Sequence, residues 1–299
     1  MDYGHDLLFG TFVMPDAQGP HHPVDLAVLA DRVGLDLVTF QDHPYQPAFH
    51  DTWTLLSFVA SRTQHIHVSG NVLNLPLRPP ALIARSAASL DRLSGGRFEL
   101  GLGAGAFWDG IAAMGGQRLA AGESIVALEE AIQIIREIWA TDKPGGVRVE
   151  GTYYQVKGAK RGPAPAHDIG IWVGAYKPRI LNLTGRIADG WLPSLGYVPG
   201  GPAGLKEMNK HIDEGAASTG RDPVAVRRLL NISGQFARTG RSLLNGPPQQ
   251  WAEDLAGLTL EYGITGFILA ADDAPTIELF ATEVAPATRE LVAAERAHR

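Results

Sequence analysis

The chain has 299 residues, 45% of them hydrophobic and 19% charged, and no cysteine; a chain of this length buries one large core, and disulfides, thiolate metal sites and cysteine nucleophiles are excluded. With 26 basic residues against 32 acidic the net charge is −6, the wrong sign for a nucleic-acid partner. No apolar run reaches the roughly 18 residues of a membrane helix, and MDYGHDLLFG at the N-terminus has no basic region followed by an apolar stretch, so no signal peptide is read and a cytoplasmic protein without a membrane partner is expected.

Short apolar runs alternate with helical patterns along almost the whole chain. Residues 7–13 read as a strand and 24–33 as a helix; 37–41 and 52–61 repeat the pair, as do 66–72 with 81–93 and 98–102 with 124–140. In the fourth helix Ile125, Leu128, Ile132, Ile135 and Trp139 fall on one face at helical spacing. A fifth unit spans 169–173 and 180–188, a sixth 190–193 and 204–218, a seventh 229–236 and 249–262, and an eighth 266–270 and 275–294. Strands alternating with helices imply parallel strands joined by crossovers, and eight units imply a TIM (β/α)8 barrel, here one domain over 1–299. An open doubly wound sheet would carry a glycine-rich turn after its first strand, whereas Val13 is followed by Met14, Pro15 and Asp16. Between the fourth helix and the fifth strand lies an insertion: 143–157 alternates like a hairpin turning near Gly151, and 157–167 is a loop rich in Gly, Pro and basic residues.

In such a barrel the active site lies at the C-terminal ends of the strands, which selects candidates by position. Asp42 and His43 follow the second strand, and an imidazole there can exchange a proton with a ligand near neutral pH; a histidine bonded to backbone is the competing reading. Asp42, His43, His50 and Asp51 lie close together, but no second cluster completes a ligand set, so no metal is expected. Gly174, Ala175, Tyr176 and Lys177 lead from the fifth strand into a helix starting at Pro178, where free N–H groups, the helix dipole, Lys177 and Arg179 make an anion site. Gly103, Ala104 and Gly105 after the fourth strand let a flat ligand approach the backbone. The aromatics Phe12, Tyr45, Phe107, Trp108 and Trp191 fall on the same rim and are candidates for a substrate pocket, with part of the set expected to be core.

The segments FQDHPYQP, SGNVLNLPLRPPALIARSAASLDRLSGGRFELGLGAG, IIREIW and WVGAYKPRILNLTGRIADGW, spread over nearly the whole chain, resemble the luciferase-like monooxygenase family, whose members are barrels using FMN or the deazaflavin coenzyme F420. The resemblance implies that His43 is the acid/base residue with Asp42 orienting or polarising it. It also implies that Asn71 and Val72 occupy the place of a non-proline cis peptide supporting the cofactor ring. Gly103 to Gly105 would then flank the cofactor, and Gly174, Ala175, Tyr176 and Lys177 would hold its phosphate. Some deazaflavin-dependent sugar-phosphate dehydrogenases of the family carry an acidic residue after the fourth-strand GxG turn; Ala106 stands there, which puts that chemistry and a sugar-phosphate substrate in doubt. The Asp-His pair favours F420 over FMN, and Lys157, Lys160 and Arg161 of the insertion are expected to meet the acidic tail of F420. The implied protein is an F420-dependent oxidoreductase moving a hydride to or from a small-molecule substrate, as a homodimer. The alternatives are an FMN-dependent monooxygenase that uses molecular oxygen and a separate flavin reductase, and a non-catalytic flavin-binding barrel.

Overall fold

The computed structural model describes residues 1–19 and 21–298, so that of the expected domain only Pro20 and Arg299 lie outside the described residues. Eight parallel strands form the barrel: β1 Leu8–Val13, β2 Leu37–Phe40, β3 His67–Gly70, β4 Phe98–Gly103, β5 Ile171–Val173, β6 Gly190–Trp191, β7 Arg227–Ile232 and β8 Gly266–Ala270, and a two-residue strand Leu73–Asn74 adds to the same sheet beside the end of β4. Their spatial order is β3-β2-β1-β8-β7-β6-β5-β4, and the pairs Val68–Phe98 and Ser69–Glu99 join β3 to β4 and close the barrel. The helices α1 His22–Arg32, α2 Thr52–Arg62, α3 Pro80–Ser94, α4 Ala121–Trp139, α5 Pro178–Ile187, α6 Gly204–Ser218, α7 Pro248–Tyr262 and α8 Ala285–Ala297 surround it. The expected (β/α)8 barrel is therefore the observed one. Strands β2 and β5 are buried along their whole length, because helices cover the outer face while side chains fill the interior.

Local chemistry sets the helix limits. Helices α3 and α7 begin at Pro80 and Pro248 and stop at Gly95 and Gly263, both glycines with φ above +70° (76° and 72°); proline loses no bond in a first turn, and glycine reaches the left-handed cap without a Cβ clash. The helix expected over 275–294 is divided into Ala274–Leu279, a wide π turn at Phe280–Val284, and α8. Pro286 has no N–H to give the carbonyl four residues back, and the helix widens just before it. The strand expected over 229–236 stops at Ile232; Gln235–Phe236 pairs with Asn245–Gly246 in a separate two-stranded sheet.

The insertion is a hairpin of Val147–Glu150 and Gln155–Ala159, antiparallel as expected. It lies on α4: Val147 and Val149 are buried, and the Glu130 carboxylate accepts from the N–H groups of Thr152, Tyr153 and Tyr154 at 2.6, 2.9 and 2.9 Å. Among the described residues no helix is long and apolar enough to cross a membrane.

At the N-terminal end of β7, Arg228 is fully buried and donates to Asp213 at 2.5 Å and Asn209 at 3.1 Å, with its guanidinium 4.1 Å over the Tyr3 ring. Removing one partner of such a pair strands a charge in the interior. Asp213→Ala is therefore expected to cost about 3 kcal/mol, read as a lower urea midpoint at unchanged slope; a loss under about 1 kcal/mol, the size of an exposed pair, would contradict the assignment.

Candidate active site

A cavity of about 500 Å³ opens where the strands end. From β2 it is lined by Asp42, His43 and Tyr45, and from the segment after β3 by Asn71, Val72 and Asn74. The loop after β4 supplies Gly103, Ala104, Gly105, Ala106 and Phe107, and the turn after β5 supplies Gly174, Ala175, Tyr176 and Lys177. Leu192, Ser194 and Asn231 complete it, with Ala121, Ser124 and Ile125 of α4 and Ile180 of α5. A larger cavity of about 740 Å³ lies at the opposite end, beside Leu8, Leu37 and His67 at the starts of β1 to β3. Size alone would select that one; the strand ends that carry catalytic residues in this architecture select the smaller.

His43 is half-buried, stacked on Tyr45 (5.3 Å between centroids) and edge-on to Phe107 (5.1 Å). Its imidazole has no hydrogen bond among the described residues. Burial pushes its pKa below the ordinary 6.5, opposed in part by the charge of Asp42. Asp42, expected to orient this ring, turns elsewhere. It is 1% exposed, and its carboxylate accepts from Arg78 Nε (2.9 Å) and Nη2 (2.8 Å) and from the Asn74 N–H (2.8 Å). Its influence on His43 is that of a nearby charge, not of a bond.

The Asn71–Val72 peptide is cis. The Asn71 amide donates to Thr39 Oγ1 (3.1 Å) and Asn231 Oδ1 (2.7 Å), and Asn231 returns a bond to Asn71 Oδ1 (3.1 Å) and gives one to Ser194 Oγ (3.2 Å). Val72 projects between Gly103 and Gly174, where a Cβ would come within 2.6 and 3.5 Å of its Cγ2. The wall around it is therefore bare backbone. Asn74 is 7% exposed, and its Oδ1 is buried without a donor.

The turn before α5 is held from behind. Trp191 donates its indole N–H to the Ala175 carbonyl (2.9 Å), and the Ser194 N–H donates to the Tyr176 hydroxyl (2.7 Å). Lys177, exposed, precedes Pro178 at the start of α5. Arg179 reaches the first turn of α4, where a Cβ on Gly122 would stand 2.9 Å from its Nη1. Among the described residues neither cation forms an ion pair.

The structure thus gathers His43, Tyr45, Phe107, Asn71, Val72 and the two glycine turns around one cavity. Three expected pocket residues lie elsewhere. Trp191 is fully buried in the core, because its side chain takes the outward face of β6. Phe12 packs inside the barrel with the cluster of Leu37, Trp172, Leu192, Leu229 and Ile268. Trp108 lines an adjoining outer depression with Tyr45 and Phe107. Lys157, Lys160 and Arg161 do not line the cavity. Helix α4 carries the chain away from the mouth, and Arg161 pairs with Glu137 near its far end. Two residues went unselected: Arg78, visible only as a basic residue before two prolines, and Asn231, whose signal is a lone amide in the apolar strand RRLLNI.

The model of the luciferase-like monooxygenase family matches residues 1–242. An F420-dependent glucose-6-phosphate dehydrogenase of Microbacterium testaceum is 32% identical over 235 residues, covering 76% of this chain and 67% of that protein. Its counterpart from Mycolicibacterium smegmatis is 30% identical over 235 residues, covering 76% and 68%. Among solved structures, an F420-dependent secondary alcohol dehydrogenase in complex with an F420-acetone adduct superposes with a TM-score of 0.83 at 19% identity, over 95% of this chain and 99% of that one. The oxygenating constituent of a diketocamphane monooxygenase from Pseudomonas putida, in complex with FMN, gives 0.75 at 18%, over 94% and 99%. At these identities the structural likeness bears on the fold, while the family model and the sequence relatives bear on descent: the chain belongs to the luciferase-like monooxygenase family.

Proposed function

We propose that the chain is an oxidoreductase using coenzyme F420 to move a hydride to or from a small alcohol or carbonyl compound at the barrel mouth. The observation that carries this reading is His43: a half-buried imidazole without a hydrogen-bond partner among the described residues, on the same cavity as a bare-backbone wall and a cation-flanked helix start. The named activities of the two sequence relatives, both F420-dependent dehydrogenases, support the choice of cofactor.

The residues fit such a group. Val72, flanked by Gly103 and Gly174, offers a surface that a flat ring can approach closely. The buried Oδ1 of Asn74, without a donor among the described residues, is an acceptor that would suit an N–H of such a group. Lys177 and the first N–H groups of α5 suit a phosphate. The bound cofactor supplies the ring that accepts or gives the hydride. His43 takes the hydroxyl proton of an alcohol, or returns it to the oxygen of a carbonyl. Burial keeps the imidazole neutral at neutral pH, the form a base requires. Tyr45 and Phe107 shield it from water. Ala106 adds no second carboxylic acid, so one histidine serves as the proton carrier, and a compact substrate suits this site better than a sugar phosphate.

Fluorescence titration of the purified chain with F420 and with FMN is expected to show tighter binding of F420. Submicromolar FMN with no F420 binding overturns the cofactor assignment and favours the oxygen-using reading. With F420 bound, a secondary alcohol and glucose 6-phosphate offered separately distinguish the substrate classes, and the alcohol is expected to be turned over faster.

The histidine assignment has its own check. An NMR titration of the His43 ring is expected to give a midpoint below 6.5, with the acid limb of kcat/KM at the same pH. Because burial is the cause, Phe107→Ala should move both midpoints upward together. His43→Gln turning over as fast as the parent would remove His43 from the reaction.

A further inference from the structure

We propose that His67, Glu99 and His167, at the end of the barrel opposite the mouth, form a binding site for a divalent transition-metal ion of the zinc class that staples β3, β4 and the end of the insertion together. His67 opens β3, Glu99 is the second residue of β4, and His167 lies shortly before β5. Their three ligand atoms all lie within 4.8 Å of one another. Glu99 Oε1 is 3.6 Å from His67 Nδ1 and 3.4 Å from His167 Nε2. A tetrahedral ion with bonds of about 2.0–2.1 Å sets neighbouring ligand atoms about 3.4 Å apart, so two edges of the polyhedron are already in place.

The ligands are held for this use. Glu99 Oε2 accepts from the Gly170 N–H at 2.7 Å, which fixes the carboxylate and leaves Oε1 for the histidines. His167 Nδ1 lies 2.8 Å from Asp91 Oδ1. Asp91 is fully buried and is itself fixed by the N–H groups of Ala166 (2.6 Å) and His167 (3.1 Å). A proton on Nδ1 facing Asp91 turns the Nε2 lone pair toward Glu99; a carboxylate behind the imidazole is the usual orienting partner of a metal-binding histidine. Two imidazoles with one carboxylate suit Zn²⁺, Co²⁺ or Ni²⁺, whereas Mg²⁺ and Ca²⁺ require oxygen ligands.

Access and purpose follow from the position. His67 and Glu99 line the cavity of about 740 Å³, and the side chains of His67 and His167 are 38% and 30% exposed, so an ion enters without unfolding and a water fills the fourth position. The three ligands span the seam between β3 and β4, which share two register pairs. Conserving function at the mouth and stability at this end is the ordinary division in this architecture, and an ion bound to the folded chain alone adds to stability by mass action.

Full-length protein dialysed against EDTA and titrated with ZnCl₂ by calorimetry is expected to bind one ion per chain, and CoCl₂ to give the visible bands of tetrahedral Co²⁺. Zn²⁺ should raise Tm where Mg²⁺ does not. His67→Ala should weaken binding at least about tenfold and abolish the cobalt bands and the Tm rise, with cofactor binding at the mouth unchanged. His65→Ala, an exposed histidine on the same cavity outside the trio, should bind as the parent does. Glu99→Gln repeats the test with the side-chain shape kept, should His67→Ala fold poorly. Absence of stoichiometric uptake at micromolar Zn²⁺, or uptake equal in the parent, His67→Ala and Glu99→Gln, overturns the proposal.

Discussion

The carboxylate of Asp42 is 1% exposed, and a charge so placed persists only with a partner. Arg78 meets it in bidentate fashion, and its Nη2 also reaches Asp51 at 2.9 Å. Asp51 in turn caps α2 by accepting from the Thr54 N–H at 2.9 Å. The third bond to Asp42 comes from the backbone of Asn74. One ion pair thus joins the end of β2, the start of α2 and the segment after β3. His43, the cis Asn71–Val72 bond and Asn74 all sit on stretches of chain that this pair pins, so the position of the proton-carrying residue relative to the bare-backbone wall depends on it.

The rest of the mouth is tied by uncharged groups. Thr39, Asn71, Asn231 and Ser194 form a continuous series of side-chain hydrogen bonds across the barrel, and the Ser194 N–H passes it on to Tyr176. Such networks are rigid in a low-dielectric interior when every member is satisfied. Their completeness separates two kinds of polar residue around one cavity. Asp42, Asn71, Asn231 and Tyr176 have their partners within the chain and hold the site's shape. The His43 imidazole, Asn74 Oδ1 and Lys177 have none among the described residues, and these are the groups left to meet a ligand.

This distinction also marks what could be read from the sequence. The barrel was legible because period and run length act locally, and the rim followed from strand direction alone. Partner choice did not. Asp42 stands beside His43 in the chain, yet side chains of successive residues leaving a strand point to different sides, and the carboxylate finds Arg78, a residue of another loop. The same alternation sends Trp191 outward while Leu192 faces the cavity. The basic residues of the insertion looked like a match for an acidic cofactor tail because their charge is visible and their end of the barrel is not. Within 275–294 the apolar pattern is uninterrupted, and the missing N–H of Pro286 acts on the backbone without altering that pattern.

A parallel barrel also gives its two ends opposite electrostatic character. Every helix returns antiparallel to its strand, so helix N-termini point to the mouth and C-termini to the far end, with partial charges of opposite sign. Lys177 and Arg179 reinforce the positive end at the starts of α5 and α4. Asp31, Asp36, Glu99, Asp168 and Asp189 reinforce the negative one around the larger cavity. Of these, Asp36 and Asp189 are paired with Arg289 and Arg136, and Asp31 accepts three backbone N–H groups from Gln64, His65 and Ile66. Glu99 differs in that its Oε1 faces two imidazoles instead of an arginine or backbone N–H groups. Ligand sets sought among neighbours in sequence, such as Asp42, His43, His50 and Asp51, miss a group spread over positions 67, 99 and 167 that only barrel closure brings together. The fold that concentrates positive potential where a phosphate is to bind therefore also prepares, at its other end, a place where a cation is favoured.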